Sequence, residues 1–432
     1  MAENTKKLGF ETRMIHAGQK PDSDPGSRSV PIYQTTSYVF DSAQQAANRF
    51  AMEEAGYVYS RMHNPTTTVF EERLASLEGA VGAVATSSGM AAQFLAFMTL
   101  LRPGDEVVAS SYLYGGTITQ LAHTLKKLSV NVTFVDQDDF SSWEKAITPK
   151  TRLLYGETIG NPRGSILDIE RVAKIAHKHG IPLVIDNTFP TPWLCRPMEF
   201  GADIVVYSAT KFLSGHGNSL IGAVLDSGNF DFSKYPSIAD PEPAYHDLKF
   251  VEKFGKLGFL TKVRMVSLRD VGSCVSPMNS FLSLQGIETL SLRMDRHVAN
   301  ALAVAKFLKT HPRVAWVSYA TLPDDPMHAL AEKYVPRGAG SVFPFGIKAK
   351  KGNERAAGEK FIASLKIFSH LANIGDVRSL VIHPATTTHQ QLSDKELEAC
   401  GIGPELIRLS IGLETADDLI TDLDQALNSM PE

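Results

Sequence analysis

Lys211 lies in "SATKFLSGHG" (208–217), directly behind the apolar run Ile204-Val205-Val206-Tyr207. Lysine is almost never buried without a partner, so an ammonium group at the end of a core-like strand calls for a reason. Other strand-like runs end on polar groups of complementary type. Val81–Ala85 leads into Thr86-Ser87-Ser88-Gly89-Met90, Arg152–Tyr155 into "GETIGNP" with Asn161, and Ile181–Ile185 into Asp186. The serine-glycine stretch can aim backbone N–H groups and a helix N-terminus at an anion, with Gly89 allowing close approach. An aldehyde cofactor with a pyridine ring and a phosphate tail needs these parts. The lysine forms the Schiff base, the carboxylate keeps the ring nitrogen protonated, and N–H and hydroxyl groups hold the phosphate. Taken singly, Lys211 reads as a rim residue, Asp186 as a helix N-cap and the Ser/Gly loop as an ordinary helix start. Their joint position at strand ends carries the chemical reading, because ligands of open parallel sheets bind outside the carboxyl ends of the strands.

The elements that would position these groups follow from periodicity. Short apolar runs at Val81–Ala85, Glu106–Ala109, Val130–Val135, Arg152–Tyr155, Ile181–Ile185 and Ile204–Tyr207 alternate with helix-like stretches such as Met90–Leu101 and Ile169–His179. That alternation predicts βαβ units and a mostly parallel sheet. Asn64 and Pro65 read as the start of a helix that presents Phe70, Leu74 and Leu77 on one face. Leu290, Met294, Val298, Leu302 and Ala305 predict a long amphipathic helix stopped before Pro312. Residues 1–64 are turn-rich and read as an arm, 65–285 as the large α/β domain, and 286–432 as a smaller α/β domain. The polar, proline-containing stretch 226–250 reads as an insertion, a candidate flap over the site.

Bulk properties narrow the function classes. The 432 residues carry 43 basic and 47 acidic side chains, a net charge of -4, which does not suit a nucleic-acid-coating protein. No apolar stretch approaches a bilayer span and the N-terminus lacks a signal-peptide core, so a cytoplasmic protein is expected. Cys195, Cys274 and Cys400 are far apart, fitting reduced thiols rather than a disulfide framework. The histidines His216, His383 and His389 have no helical metal-ligand spacing, so no metal is expected. No G-x-G-x-x-G follows the first strand and no P-loop is present, which weighs against nucleotide binding.

"SATKFLSGHG" resembles the pyridoxal-phosphate lysine motif of the Cys/Met-metabolism enzymes. The likeness continues through "YSRMHNPT", "TSSGMAA", "LYGGT", "ETIGNP", "VIDNTFPTP", "SLVIHPATTTH" and "IRLSIGLE", in the family's order. It implies an aspartate-aminotransferase-like fold (fold type I), with a mostly parallel seven-stranded sheet domain and a smaller C-terminal domain. It implies pyridoxal 5'-phosphate as cofactor. It also implies that Lys211 forms the Schiff base and shuttles protons, that Asp186 pairs with the ring nitrogen, and that Tyr114 stacks on the ring. Ser88, Gly89, Met90, Ser208 and Thr210 would hold the phosphate, joined by Tyr59 and Arg61 from a neighbouring subunit. Asn161, Ser379 and Arg408 would hold the substrate carboxylate. The assembly implied is a homotetramer, a dimer of dimers. The DNTFPTP segment, the insertion and "HPATTTHQQL" look like the O-acetylhomoserine sulfhydrylase branch, which implies homocysteine and acetate from O-acetylhomoserine and sulfide. Ile118 stands where many such enzymes have an aromatic residue, and Gly116 where methionine gamma-lyases have cysteine. Cystathionine gamma-synthase or gamma-lyase, an O-succinylhomoserine sulfhydrylase, and a non-catalytic cofactor-binding protein are the alternatives.

Overall fold

The computed structural model describes residues 8–21, 24–161, 163–350, 352–387 and 403–431. Its strands are β1 (Gly82–Thr86), β2 (Glu106–Ser110), β3 (Asn131–Val135), β4 (Thr151–Glu157), β5 (Leu183–Asp186), β6 (Ile204–Tyr207), β7 (Gly222–Asp226), β8 (Val314–Val317), β9 (Val342–Ile347), β10 (Ser369–His370), β11 (Leu380–Ile382) and β12 (Leu406–Ser410). The helices used below are α1 (Pro65–Glu78), α2 (Gly89–Leu100), α3 (Ile169–Lys178), α4 (Leu290–Thr310) and α5 (Ala416–Asn428). The chain divides into two compact units. One comprises Met1–Arg102, Asp203–Thr210 and Asn218–Glu288, the other Pro103–Ala202, Lys211–Gly217 and Thr289–Glu432.

In the first unit the strand order is β1-β7-β6, and β7 is antiparallel to both neighbours. All six expected runs are strands, whereas β7 was not among them. Its short "GAVLD" follows a glycine- and serine-rich loop and is bordered by turn residues, so local pattern hides a strand that burial on every residue reveals. Helix α1 starts where expected: Asn64 Oδ1 accepts the Thr66 N–H at 3.0 Å, Pro65 occupies the first turn, and Gly79 ends the helix at φ 86°. Phe70, Leu74 and Leu77 are fully buried, each contributing roughly 2 kcal/mol through apolar burial.

The arm is less irregular than its composition suggests. It contains helices at Phe10–His16 and Ala43–Phe50, the second capped by Ser42 accepting from Gln45 N–H. Met14 and Ala17 are buried, and buried Arg73 donates to the Ala17 carbonyl at 3.0 Å and to Glu288 at 2.8 Å. The Ala43–Phe50 helix buries none of its residues. Between 226 and 250, Phe232, Tyr235, Ile238 and Phe250 are buried, and Phe232 stacks on Phe259 at 5.1 Å. Ser237 donates to the Leu100 carbonyl and Arg102 pairs with Asp240, both at 2.8 Å, so the insertion is tied to the C-terminal end of α2.

In the second unit β5-β4-β2-β3 are parallel throughout, which brings their carboxyl ends to one edge. A second sheet has the order β10-β11-β12-β9-β8 and is antiparallel except at β10–β11. Helix α3 is capped by Asp168 and is followed by Gly180 at φ 68°. Helix α4 ends before Pro312 as expected, but its buried face differs. Leu290, Met294, His297, Ala301, Val304, Ala305 and Leu308 are buried, while Val298 and Leu302 are half-buried. A strict i+4 repeat drifts about 40° per step from a 3.6-residue helix, so alternating steps of three and four follow the core.

Candidate active site

The parallel edge of the second unit carries a recurring arrangement. Tyr114 lies four residues beyond the end of β2, and Asn161 four beyond the end of β4. Lys211 lies four beyond the end of β6 in sequence. Asp186 is the last residue of β5 and pairs in register with Glu157, the last residue of β4. Two carboxylates therefore stand on adjacent strand ends. Burial raises the Asp186 carboxyl to about 6, opposed by the Thr188 N–H that donates to Oδ1 at 2.9 Å. Burial and the neighbouring Asp186 push Glu157 well above the ordinary carboxylate range. Neither carboxylate has an ion-pair partner among the described residues.

Lys211 Nζ donates to Asn373 Oδ1 at 2.5 Å. The carbonyl of Asn373 accepts from Arg408 Nη2 at 3.3 Å, and Arg408 Nη1 donates to Asn161 Oδ1 at 3.2 Å. An amine, two amides and a guanidinium thus form one connected group. Burial, then the Arg408 charge, lowers the Lys211 amine to about 8. Burial likewise lowers Arg408 to about 10. The Tyr114 ring is half exposed and folds over Gly116, where an added Cβ would stand 2.4 Å from Tyr114 Cε1.

The loop behind Lys211 is held from several sides. Arg293 on α4, 6% exposed, donates to the carbonyls of Phe212 at 2.7 Å and Leu213 at 3.2 Å. Gly215 at φ 77° leaves room for that guanidinium: a Cβ there would lie 2.2 Å from Arg293 Nη1. Val377 N–H donates to the Gly215 carbonyl, and Gly375 packs its bare Cα against the Lys211–Phe212 peptide. His216 is exposed, with Nδ1 2.7 Å from the Ser214 carbonyl.

In the first unit Ser88 caps α2 by accepting the Ala91 N–H at 3.1 Å. Gly89 meets Ser208 backbone to backbone; a Cβ on Gly89 would lie 2.5 Å from Ser208 Cβ. The α2 N-terminus with Gly89 and Met90 is thereby placed beside Ser208. The Thr210 hydroxyl is engaged with Ile221, donating to its carbonyl at 3.1 Å and accepting its N–H at 3.0 Å. Arg61 lies 5.5 Å from the Tyr59 ring centroid and donates to the Arg269 carbonyl at 3.0 Å.

Within the second unit, the structure thus joins Lys211, Asn161 and Arg408, and seats Asp186 beside Glu157. Ser379 is not hydrogen-bonded to those described residues. Its buried hydroxyl donates to Glu414 Oε2 and accepts the Gly412 N–H, both at 2.8 Å. Asn373, Glu157 and Arg293 were not among the expected site residues. Glu157 could have been found from its place at a strand end inside "ETIGNP"; Asn373 is joined to Lys211 across 162 positions and gives no local signal. His389 and Cys400 lie outside the described residues. Among the described residues no group of three His, Cys, Asp or Glu side chains is arranged to hold a metal, and no helix is long and apolar enough to cross a membrane.

These residues suit pyridoxal phosphate. Asp186 is a shielded carboxylate without a cationic partner, the complement of a protonated pyridine nitrogen. Lys211 is an amine brought near neutrality. The first unit, taken by itself, offers an anion seat at the α2 N-terminus with side-chain-free Gly89. The family model for Cys/Met metabolism PLP-dependent enzymes matches residues 11–428. An O-acetyl-L-homoserine sulfhydrylase of Leptospira meyeri is 50% identical over 97% of each chain. A homocysteine synthase of Schizosaccharomyces pombe is 48% identical over 97% of this chain and 98% of its own. A solved Campylobacter jejuni O-acetylhomoserine (thiol)-lyase carrying N'-pyridoxyl-lysine-5'-monophosphate superposes with a TM-score of 0.94 at 41% identity, covering 98% of this chain and all of its own. The fold is the expected fold-type-I α/β architecture. The chain belongs to the Cys/Met metabolism PLP-dependent enzymes, and pyridoxal 5'-phosphate is its cofactor.

Proposed function

We propose that the protein carries out γ-replacement on O-acetyl-L-homoserine with sulfide, releasing acetate and forming L-homocysteine, the direct-sulfhydrylation route to methionine. The observation that carries this is its near-half identity, over almost the full length of both chains, to enzymes named for that activity. When bound, the cofactor supplies an electron sink for charge developing at the substrate Cα.

The chain's own groups take the remaining roles. Asp186 holds the ring nitrogen protonated, and its seclusion at the end of β5 strengthens that contact. The Lys211 amine takes the Cα proton and shuttles the Cβ proton, a task that needs a neutral amine; the lowering to about 8 raises the neutral fraction near physiological pH. Acetate then leaves from Cγ and sulfide adds there. Arg408, with Asn161 oriented on its Nη1, receives the substrate carboxylate in a two-pronged fork that lysine lacks. Ser379, just before β11, holds the substrate carboxylate with Arg408 and Asn161, its hydroxyl seated by Glu414 and the Gly412 N–H. Tyr114 stacks on the ring and assists proton transfer. The α2 N-terminus at Ser88, Gly89 and Met90, with Ser208 and Thr210, holds the phosphate.

Tyr59 and Arg61 reach the phosphate of a neighbouring subunit in a dimer of dimers. In support, no residue of the Ala43–Phe50 helix is fully buried against its own chain, while Val39 is 91% and Phe50 65% exposed. In this reading 1–64 serve the neighbouring subunit, 65–285 bind the cofactor and 286–432 form the smaller domain. Three widely spaced cysteines support a cytoplasmic location.

The test is an assay of O-acetyl- and O-succinyl-L-homoserine, each with sulfide and with cysteine. Homocysteine formed fastest from the acetyl ester and sulfide supports the reading. Faster cystathionine formation, or preference for the succinyl ester, assigns the chain to another activity of the family.

A further inference from the structure

We propose that Glu157 is a positioning residue of the active site, holding the backbones of Tyr114 and Asn161 beside Asp186. The inference rests on the roles just given to Tyr114, Asn161 and Asp186. Glu157 is 5% exposed and ends β4. Its Oε1 accepts the Tyr114 N–H at 2.7 Å, and the Asn161 backbone is near enough to favour its ionised form. Tyr114 follows β2 and Asn161 follows β4, two neighbouring parallel strands. The two loops meet at Gly160, where a Cβ would lie 2.6 Å from the Tyr112 carbonyl, and Tyr114 opens a short helix with no side-chain cap of its own. One carboxylate, with two oxygens, spans both loops from the strand that lies next to Asp186.

The choice of glutamate is otherwise costly. Two carboxylates on adjacent strand ends, shielded from water and without a cation, disfavour ionisation of each other. A leucine or glutamine would fill the volume without that repulsion. Glutamine, however, offers one acceptor oxygen where two backbone N–H groups wait, and leucine offers none. The carboxylate is therefore matched to the two donors, and through them to the placement of the Tyr114 ring and the Asn161 amide that orients Arg408.

The experiment compares wild type with Glu157→Gln and Glu157→Leu. It measures the dissociation constant of pyridoxal phosphate from apoprotein, the visible circular dichroism of the holoenzyme, kcat and KM, and the melting temperature. The expected result is graded. Glu157→Gln weakens cofactor binding severalfold and Glu157→Leu about tenfold or more, as one and then both acceptors are lost. Altered cofactor dichroism and a lowered kcat should accompany both. If Glu157→Leu does not fold, the severalfold change in Glu157→Gln still carries the test. Unchanged cofactor affinity and dichroism in a folded variant overturn the proposal, even if the melting temperature falls. Equal impairment in both variants also overturns it, since the count of acceptors would then not matter. Failure of wild type to form homocysteine refutes the reaction assigned above, while the cofactor-affinity series still decides the role of Glu157.

Discussion

Arg408 is linked to Lys211 through a single residue: Asn373 accepts Lys211 Nζ on its side-chain oxygen and Arg408 Nη2 on its backbone carbonyl. The guanidinium therefore acts on the amine at short range while being held away from it. A positive neighbour disfavours the ammonium form, adding to the effect of burial on Lys211.

Removing that charge should raise the Lys211 amine above its present value of about 8. Condensation of apoprotein with pyridoxal phosphate needs the neutral amine, so its rate should rise with pH through about 8 in wild type. In Arg408→Gln the rise should move to higher pH. Arg408→Lys should keep the wild-type midpoint but raise KM for the acyl-homoserine by roughly tenfold or more, having lost the paired donors. Stopped-flow absorbance across a pH series checks both.

Asp186 gives the apoprotein a specific pH dependence. Its folded carboxyl sits at about 6, above the ordinary 3.8, so the folded state holds its proton more tightly than the unfolded chain. That contribution to stability is fully present below about 4 and is lost as pH rises through about 6. The apoprotein should accordingly melt at lower temperature as pH rises across this window, and Asp186→Asn should flatten the trend. Cofactor should narrow the loss by providing the missing cation. Scanning calorimetry with and without pyridoxal phosphate compares the four cases.

A second buried carboxyl, Asp226 at the end of β7, is raised by burial to about 7. It accepts the Gly228 N–H at 2.8 Å, a bond that asparagine can keep. Asp226→Asn should therefore be near neutral at about pH 4 and stabilise the protein by roughly 2–4 kcal/mol at pH 8, where the wild-type group is forced to ionise. Urea melts at the two pH values measure the difference; equal values at both would show that Asp226 does not titrate as described.

Arg293 bears on how firmly Lys211 is held. Arg293→Met keeps the length of the side chain but strands the Phe212 and Leu213 carbonyls. It should cost about 2–4 kcal/mol in stability, and kcat should fall more than KM rises. A melting curve and steady-state kinetics on the same preparation separate the two effects.

Much of the site was legible in sequence because strand-end residues obey local rules. Asp186 and Lys211 follow apolar runs, and Ser88 and Gly89 precede a helix whose periodicity is plain. β7 was not legible: five residues between glycine-rich turns carry no alternation, and its antiparallel place depends on β6 before it and on β1, far away in sequence. Asn373 lies in a loop before β11, and only the folded chain brings it to Lys211. Arg293 sits on a helix that was expected, but the strict i+4 stripe left it on the polar side, whereas the helix turns it inward. The partner that seats the Ser379 hydroxyl, Glu414, lies 35 positions away and is not announced by the sequence.

The identity of the cofactor lysine can be read directly. Holoenzyme reduced with borohydride, digested and mass-analysed should carry the pyridoxyl phosphate group on the peptide containing Lys211, and Lys211→Ala should lose both the label and homocysteine formation. A label on a different lysine, or near-normal turnover by Lys211→Ala, would contradict the assignment of Lys211 as the amine on which the reaction turns.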